Sequence, residues 1–149
     1  MFKTIVLAVD GSEGAKRAIP IAVELAKRDD AKIVLAHVDE RIVGKGGGDI
    51  HPDEEQIQAE VKKQAEELSA QGVETTVEMA DVMVGGPAHV IAEIADRVSA
   101  DLIVTGTRGH SPLSGLLLGS VTQRLLHVAP CPVLVMPALA KMAETTVSR

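Results

Sequence analysis

A chain of 149 residues, 46% of them hydrophobic, is long enough to bury one substantial core, and its formal net charge of −6 excludes a general nucleic-acid binder, which needs fields of Lys and Arg. Phe2 is the sole aromatic residue, so the core has to be aliphatic. The longest apolar runs, TIVLAV and PVLVMPALA, fall well short of the ~20 residues that cross a bilayer, MFKTIVLAVDG lacks the pattern of a signal peptide, and the single cysteine, Cys131, makes no intrachain disulfide; a cytoplasmic setting without membrane contact is expected.

Thr4 to Val9 is an apolar run ending at Asp10, Gly11 and Ser12, and predicts a buried strand, a turn and a helix start. From Glu13 to Arg28 apolar residues recur at helical spacing, with Pro20 as the site of a local kink. Lys32 to Val38 predicts a second buried strand, and Asp39 to His51, with four glycines, a mobile polar loop. Pro52 to Gln71 is charged, with apolar points at Ile57, Val61, Ala65 and Leu68, and predicts an exposed amphipathic helix stopped by Gly72. Val73 to Met79 alternates as an edge strand does. Gly85, Gly86 and Pro87 lead into a helix from Ala88 to Val98, Asp101 to Thr105 is another buried strand, and a helix from Ser120 to Val128 precedes a last strand, Val133 to Met136.

Strands alternating with helices, each strand mostly apolar, predict an α/β domain over residues 1–137: a five-stranded parallel sheet, doubly wound, in a three-layer sandwich. Residues 138–149 are expected to form a disordered tail. The apolar last strand, placed at a sheet edge, invites pairing with a second copy into a homodimer.

In a doubly wound sheet ligands bind beyond the carboxyl ends of the strands, where strand order reverses. Two strand ends carry suitable residues. One is Asp10-Gly11-Ser12; the other is Gly106-Thr107-Arg108-Gly109, followed after a spacer by Gly119, Ser120, Val121 and Thr122 at a helix start. Glycines let a backbone approach a phosphate, a helix N-terminus offers N–H donors with partial positive charge, and the Ser120 and Thr122 hydroxyls can add donors. Charge agrees with this reading. Residues 39–81 carry twelve acidic and four basic side chains, whereas 102–143 contain no Asp or Glu, so an anion approaches that stretch unopposed.

The stretch DLIVTGTRGHSPLSGLLLGSVTQRLLHVAPCPVLVMP resembles the signature of universal stress proteins, whose nucleotide-binding members carry Gly, two residues, Gly, nine residues, then Gly and Ser or Thr. TIVLAVDGSEGAKRA is similar to that family's opening strand, acidic turn and first helix, so the resemblance runs from Phe2 to Pro137. It implies a flavodoxin-like sheet of order 3-2-1-4-5, an ATP or AMP ligand, and a homodimer joined through the last strands. Carried over by position, it implies that Val9 and Asp10 border the ligand, with Asp10 facing the ribose or a phosphate-bound Mg²⁺. Val38 would meet the base through its backbone, and Gly106, Arg108, Gly109, Gly119, Ser120, Val121 and Thr122 would hold phosphates.

Plainer readings stand beside these. Gly106 and Gly109 can simply turn the chain, Asp10 can satisfy turn backbone groups, and Ser120 suits a helix cap. The five histidines, His37, His51, His89, His110 and His127, show no ligand spacing, so no metal site of their own is expected, and Cys131 reads as a packed thiol. Binding is better supported than catalysis, because no G-x-x-x-x-G-K-[ST] loop or general base accompanies the glycines. The leading expectation is a nucleotide-binding regulatory or stress-response protein read by a downstream protein. The alternatives are a slow ATP hydrolase or phosphotransferase using Asp10 and Mg²⁺, and a structural dimer with an empty pocket.

Overall fold

The computed structural model describes residues 1–39, 54–82, 85–107 and 119–137. Arg108, Gly109, the greater part of the expected mobile loop and the expected C-terminal tail lie outside the described residues. Within them, the apolar runs become strands β1 (Thr4–Ala8), β2 (Lys32–Asp39), β3 (Thr75–Asp81), β4 (Leu102–Gly106) and β5 (Val133–Met136), separated by helices α1 (Glu13–Asp29), α2 (Glu54–Ala70), α3 (Pro87–Arg97) and α4 (Ser120–Val128). All strand pairs are parallel and the order is β3-β2-β1-β4-β5.

Alternation along the strands splits the core into two aliphatic layers. Ile5, Leu7, Val9, Ile33 and Leu35 pack against Ala18, Ala22 and Ala26 of α1 and Val61 and Leu68 of α2. On the other face Val6, Ala8, Val34, Ala36 and Val38 meet Val90, Ile91 and Ile94 of α3 and Leu125 of α4. Each fully buried Val, Ile or Leu side chain contributes roughly 1.5–3 kcal/mol of transfer free energy, which lets a sheet without aromatic residues close on both sides. The alanine stripe of α1 brings that helix close to the sheet.

Element ends follow local chemistry. The Ser12 hydroxyl accepts a hydrogen bond from the Ala15 N–H at 3.2 Å and caps α1, which runs on through Pro20 to Asp29. The third strand starts two residues later than the alternation suggests, at Thr75. Val73 is spent on closing α2: Gly72, at φ 87°, turns the chain so that the Val73 N–H reaches the Leu68 carbonyl. Its far end extends to Asp81, where register with Asp39 of β2 is kept.

At the amino ends of the strands two carboxylates fasten the start of the chain. Asp101 accepts the N–H groups of Lys3 and Thr4 at 2.8 and 2.9 Å, and these bonds hold its carboxyl below the ordinary carboxylate range. Asp29 accepts the Phe2 N–H at 2.8 Å and pairs with Arg28, and its carboxyl is lowered further, chiefly by that Arg28 hydrogen bond. Both lie at the end of the sheet opposite to the one where the expected ligand residues collect.

Candidate functional site

Strand order reverses between β1 and β4, because the chain leaves β1 toward β2 and leaves β4 toward β5. At that reversal the carboxyl ends of β1 and β4 lie side by side, and the starts of α1 and α4 meet around Gly106. A side chain on Gly106 would lie 2.8 Å from the Gly14 carbonyl carbon and 3.1 Å from the Ala15 nitrogen, so the first turn of α1 rests on the bare backbone of β4. From the other side the Thr122 hydroxyl of α4 donates to the Gly106 carbonyl at 2.9 Å. Gly106 is thus the seam between two helix starts.

The Asp10 turn closes on itself: Asp10 Oδ1 accepts the Ser12 N–H at 2.9 Å, and Gly11 takes φ 78°, where its hydrogen faces the Ile57 side chain. Asp10, Gly11 and Ser12 are half-buried, at the mouth of the cleft rather than in the core. Beyond β4, the Gly119 N–H donates to the Thr107 carbonyl at 2.6 Å and Gly119 serves as the N-cap of α4. Its φ of −69° and ψ of 160° suit any residue, so backbone conformation does not demand a glycine there. Ser120 is exposed, Val121 half-buried and Thr122 buried. Their N–H groups begin the helix, have no acceptor within it, and the first turn carries no acidic residue. The Thr122 hydroxyl hydrogen is already committed to the Gly106 carbonyl.

Val38 occupies the end of β2 with its side chain buried in the α3–α4 layer. Along β2 the backbone groups of Lys32 and Ala36 bond toward β1, and those of Ile33 and Asp39 toward β3. This alternation turns the Val38 N–H and C=O toward β1 as well, just past the residue where β1 departs. The structure so brings Val9, Asp10, Val38, Gly106, Gly119, Ser120, Val121 and Thr122 to one end of the sheet.

One participant has no signature in the sequence. His37, almost wholly buried, donates its Nδ1–H to the Val9 carbonyl at 2.8 Å and meets Glu54 Oε1 through Nε2 at 2.7 Å; Gln58 donates to the same oxygen at 3.0 Å. Nothing in the spacing of the histidines marks this one. Among the described residues no group of His, Cys, Asp and Glu is arranged to hold a metal ion. Cys131 is half-buried, its thiol pushed up by burial and by Asp101, which suits packing rather than nucleophilic chemistry. No helix among the described residues is long and apolar enough to cross a membrane.

A parallel doubly wound sheet of order β3-β2-β1-β4-β5, with its strand order reversing between β1 and β4, defines the flavodoxin-like class of α/β domains. Residues 1–137 match the model of the universal stress protein family. The chain belongs to that family. It is 38% identical over 136 residues to a universal stress protein of Thermus aquaticus, with 90% of this chain and 98% of the relative covered. Among solved structures, one from the same family in Burkholderia pseudomallei shares 29% identity at a TM-score of 0.69, covering 91% of this chain and 96% of that one. A universal stress protein crystallised in complex with cAMP shares 29% identity at a TM-score of 0.62, covering 91% and 97% respectively.

Proposed function

We propose that this protein binds an adenine nucleotide in the cleft at the strand-order reversal and acts as a regulatory, stress-response binding protein of the cytoplasm. The observation that carries the reading is the start of α4. It is free of carboxylates, opens beside the Asp10 turn, and is capped by a glycine that its own backbone conformation does not require. A phosphate is the ligand group that such a helix start favours, and the missing side chain leaves room for it. The relative crystallised with cAMP supports adenine as the base.

In this reading Ser120, Val121 and Thr122 donate backbone N–H groups to phosphate oxygens, Ser120 adds its exposed hydroxyl, and Gly119 gives close approach. Arg108 and Gly109 complete the phosphate side by position in the sequence. Asp10 takes the ribose or a phosphate-bound Mg²⁺, and the Val38 backbone groups meet the base edge beside Val9. ATP is the ligand proposed first, and AMP second.

Purified protein decides the matter. The chain has no Trp or Tyr, so bound adenine dominates its ultraviolet spectrum with a peak near 260 nm. MgATP at about 100 times its dissociation constant should add about 2.7 kcal/mol and raise the melting point by several degrees. Absence of endogenous nucleotide, together with unchanged melting in ATP, AMP and cAMP, would overturn the reading.

A further inference from the structure

We infer that His37 is a positioning residue that keeps the backbone of Val38 available to a ligand by occupying the carbonyl that would otherwise pair with it. In the ladder between β1 and β2 the Val9 N–H donates to the Ala36 carbonyl at 2.9 Å. The next bond of a parallel ladder would run from the Val38 N–H to the Val9 carbonyl. Among the described residues that bond is not made, and the Val9 carbonyl receives the His37 Nδ1–H instead, at 2.8 Å. The ring ends the pairing of β1 with β2 one step early, and it does so one residue before Asp10.

Two contacts fix the ring in this role. A carbonyl only accepts, so Nδ1 carries the hydrogen. On the other side Glu54, the first residue of α2, meets Nε2 at 2.7 Å and is itself held by Gln58 one turn on. The imidazole and the carboxylate are 3% and 6% exposed, so water does not compete for either bond. A side chain in the hydrophobic layer beneath the sheet thereby sets the hydrogen-bonding state of a backbone edge in the cleft above. Its consequence for affinity rests on the nucleotide reading; its effect on Val38 does not.

Amide hydrogen exchange of the ligand-free protein tests the role directly. In the wild type the Val38 N–H should exchange at least a hundredfold faster than that of Ala36, and imidazole nitrogen NMR should find Nδ1 protonated. Slow exchange at Val38 or a bare Nδ1 overturns the inference without any variant. Two substitutions then separate the contacts, because the Asn amide nitrogen matches Nδ1 in reach and the Gln amide nitrogen matches Nε2. His37→Gln releases the Val9 carbonyl, so Val38 should pair with it and exchange at least tenfold more slowly; His37→Asn should leave Val38 exchange within threefold of wild type. Loss of packing alone would speed exchange in both variants, and that result overturns the role. With MgATP, His37→Gln should weaken binding about tenfold relative to His37→Asn, and equal affinities would overturn the link to the ligand. If the wild type binds none of ATP, AMP or cAMP, the nucleotide reading fails, while the exchange at Val38 still decides what His37 does.

Discussion

Two glycines of the cleft lack side chains for different physical reasons, and substitution separates them. Gly106 faces fixed backbone: a methyl group there would press on Gly14 and Ala15 of α1, which cannot move without lifting the helix start from β4. Gly106→Ala should therefore destabilise the fold by about 1–3 kcal/mol, read as a lower thermal midpoint. Gly119 has an extended backbone open to any residue. Gly119→Val should melt close to wild type and yet bind nucleotide roughly tenfold or more weakly, since each charge-assisted bond lost is worth about 1.5–3 kcal/mol. Calorimetry paired with melting curves distinguishes the two, and a Gly119→Val protein with unaltered affinity would take the α4 start out of the site.

Much of the candidate site is legible in the sequence because its residues are neighbours there: Asp10 with Ser12, and Gly119 with the three residues after it. His37 is not. Its partners lie 28 residues before it and 17 after it, and its meaning depends on a ladder bond that the fold withholds. The double duty of Gly106 was hidden for the same reason, because the α1 backbone that forbids a side chain there comes from Gly14 and Ala15.

Among the elements, the strands with unbroken apolar runs were read closely, since burial on both faces leaves little freedom of assignment. β3 was displaced because Gly72 and Val73 satisfy the end of α2 before any strand begins. The last strand gives a prediction at this level. Ile103 donates to the Pro132 carbonyl and Thr107 to that of Met136, so Leu134 also bonds toward β4, and Val133 and Val135 present their N–H groups to the open edge of the sheet. If two copies pair through β5, Val135→Pro removes an outward donor while leaving the bonds to β4 intact. The variant should fold with nearly normal melting and appear as a monomer by light scattering at micromolar concentration, where the wild type is a dimer. A dimer that survives the substitution would place the interface elsewhere.

At the scale of the whole molecule the two ends of the sheet divide their tasks. Carboxyl ends form the cleft, and amino ends are tied by Asp29 and Asp101. Both carboxyls are held below their ordinary range in the folded state, so the stability they contribute is fully present above the unfolded value of about 3.9 and is lost as pH falls through the folded values. Thermal midpoints should accordingly drop between about pH 4 and pH 2. Asp101→Asn should lower the midpoint at neutral pH and make the acid decline shallower. An Asp101→Asn curve parallel to wild type would show that the bonds to Lys3 and Thr4 do not stabilise the fold.

The same clasp dictates an order of events during synthesis. Of the five strands of this sheet β1 leaves the ribosome before the others, yet one of its two flanking strands is β4, and the carboxylate that fastens Thr4 lies 97 residues downstream. At roughly 5–20 residues per second that separation corresponds to a wait on the order of ten seconds. Throughout it, the strand whose Ile5, Val6 and Leu7 end fully buried has an unpaired side, and the nascent chain is most open to aggregation in that interval.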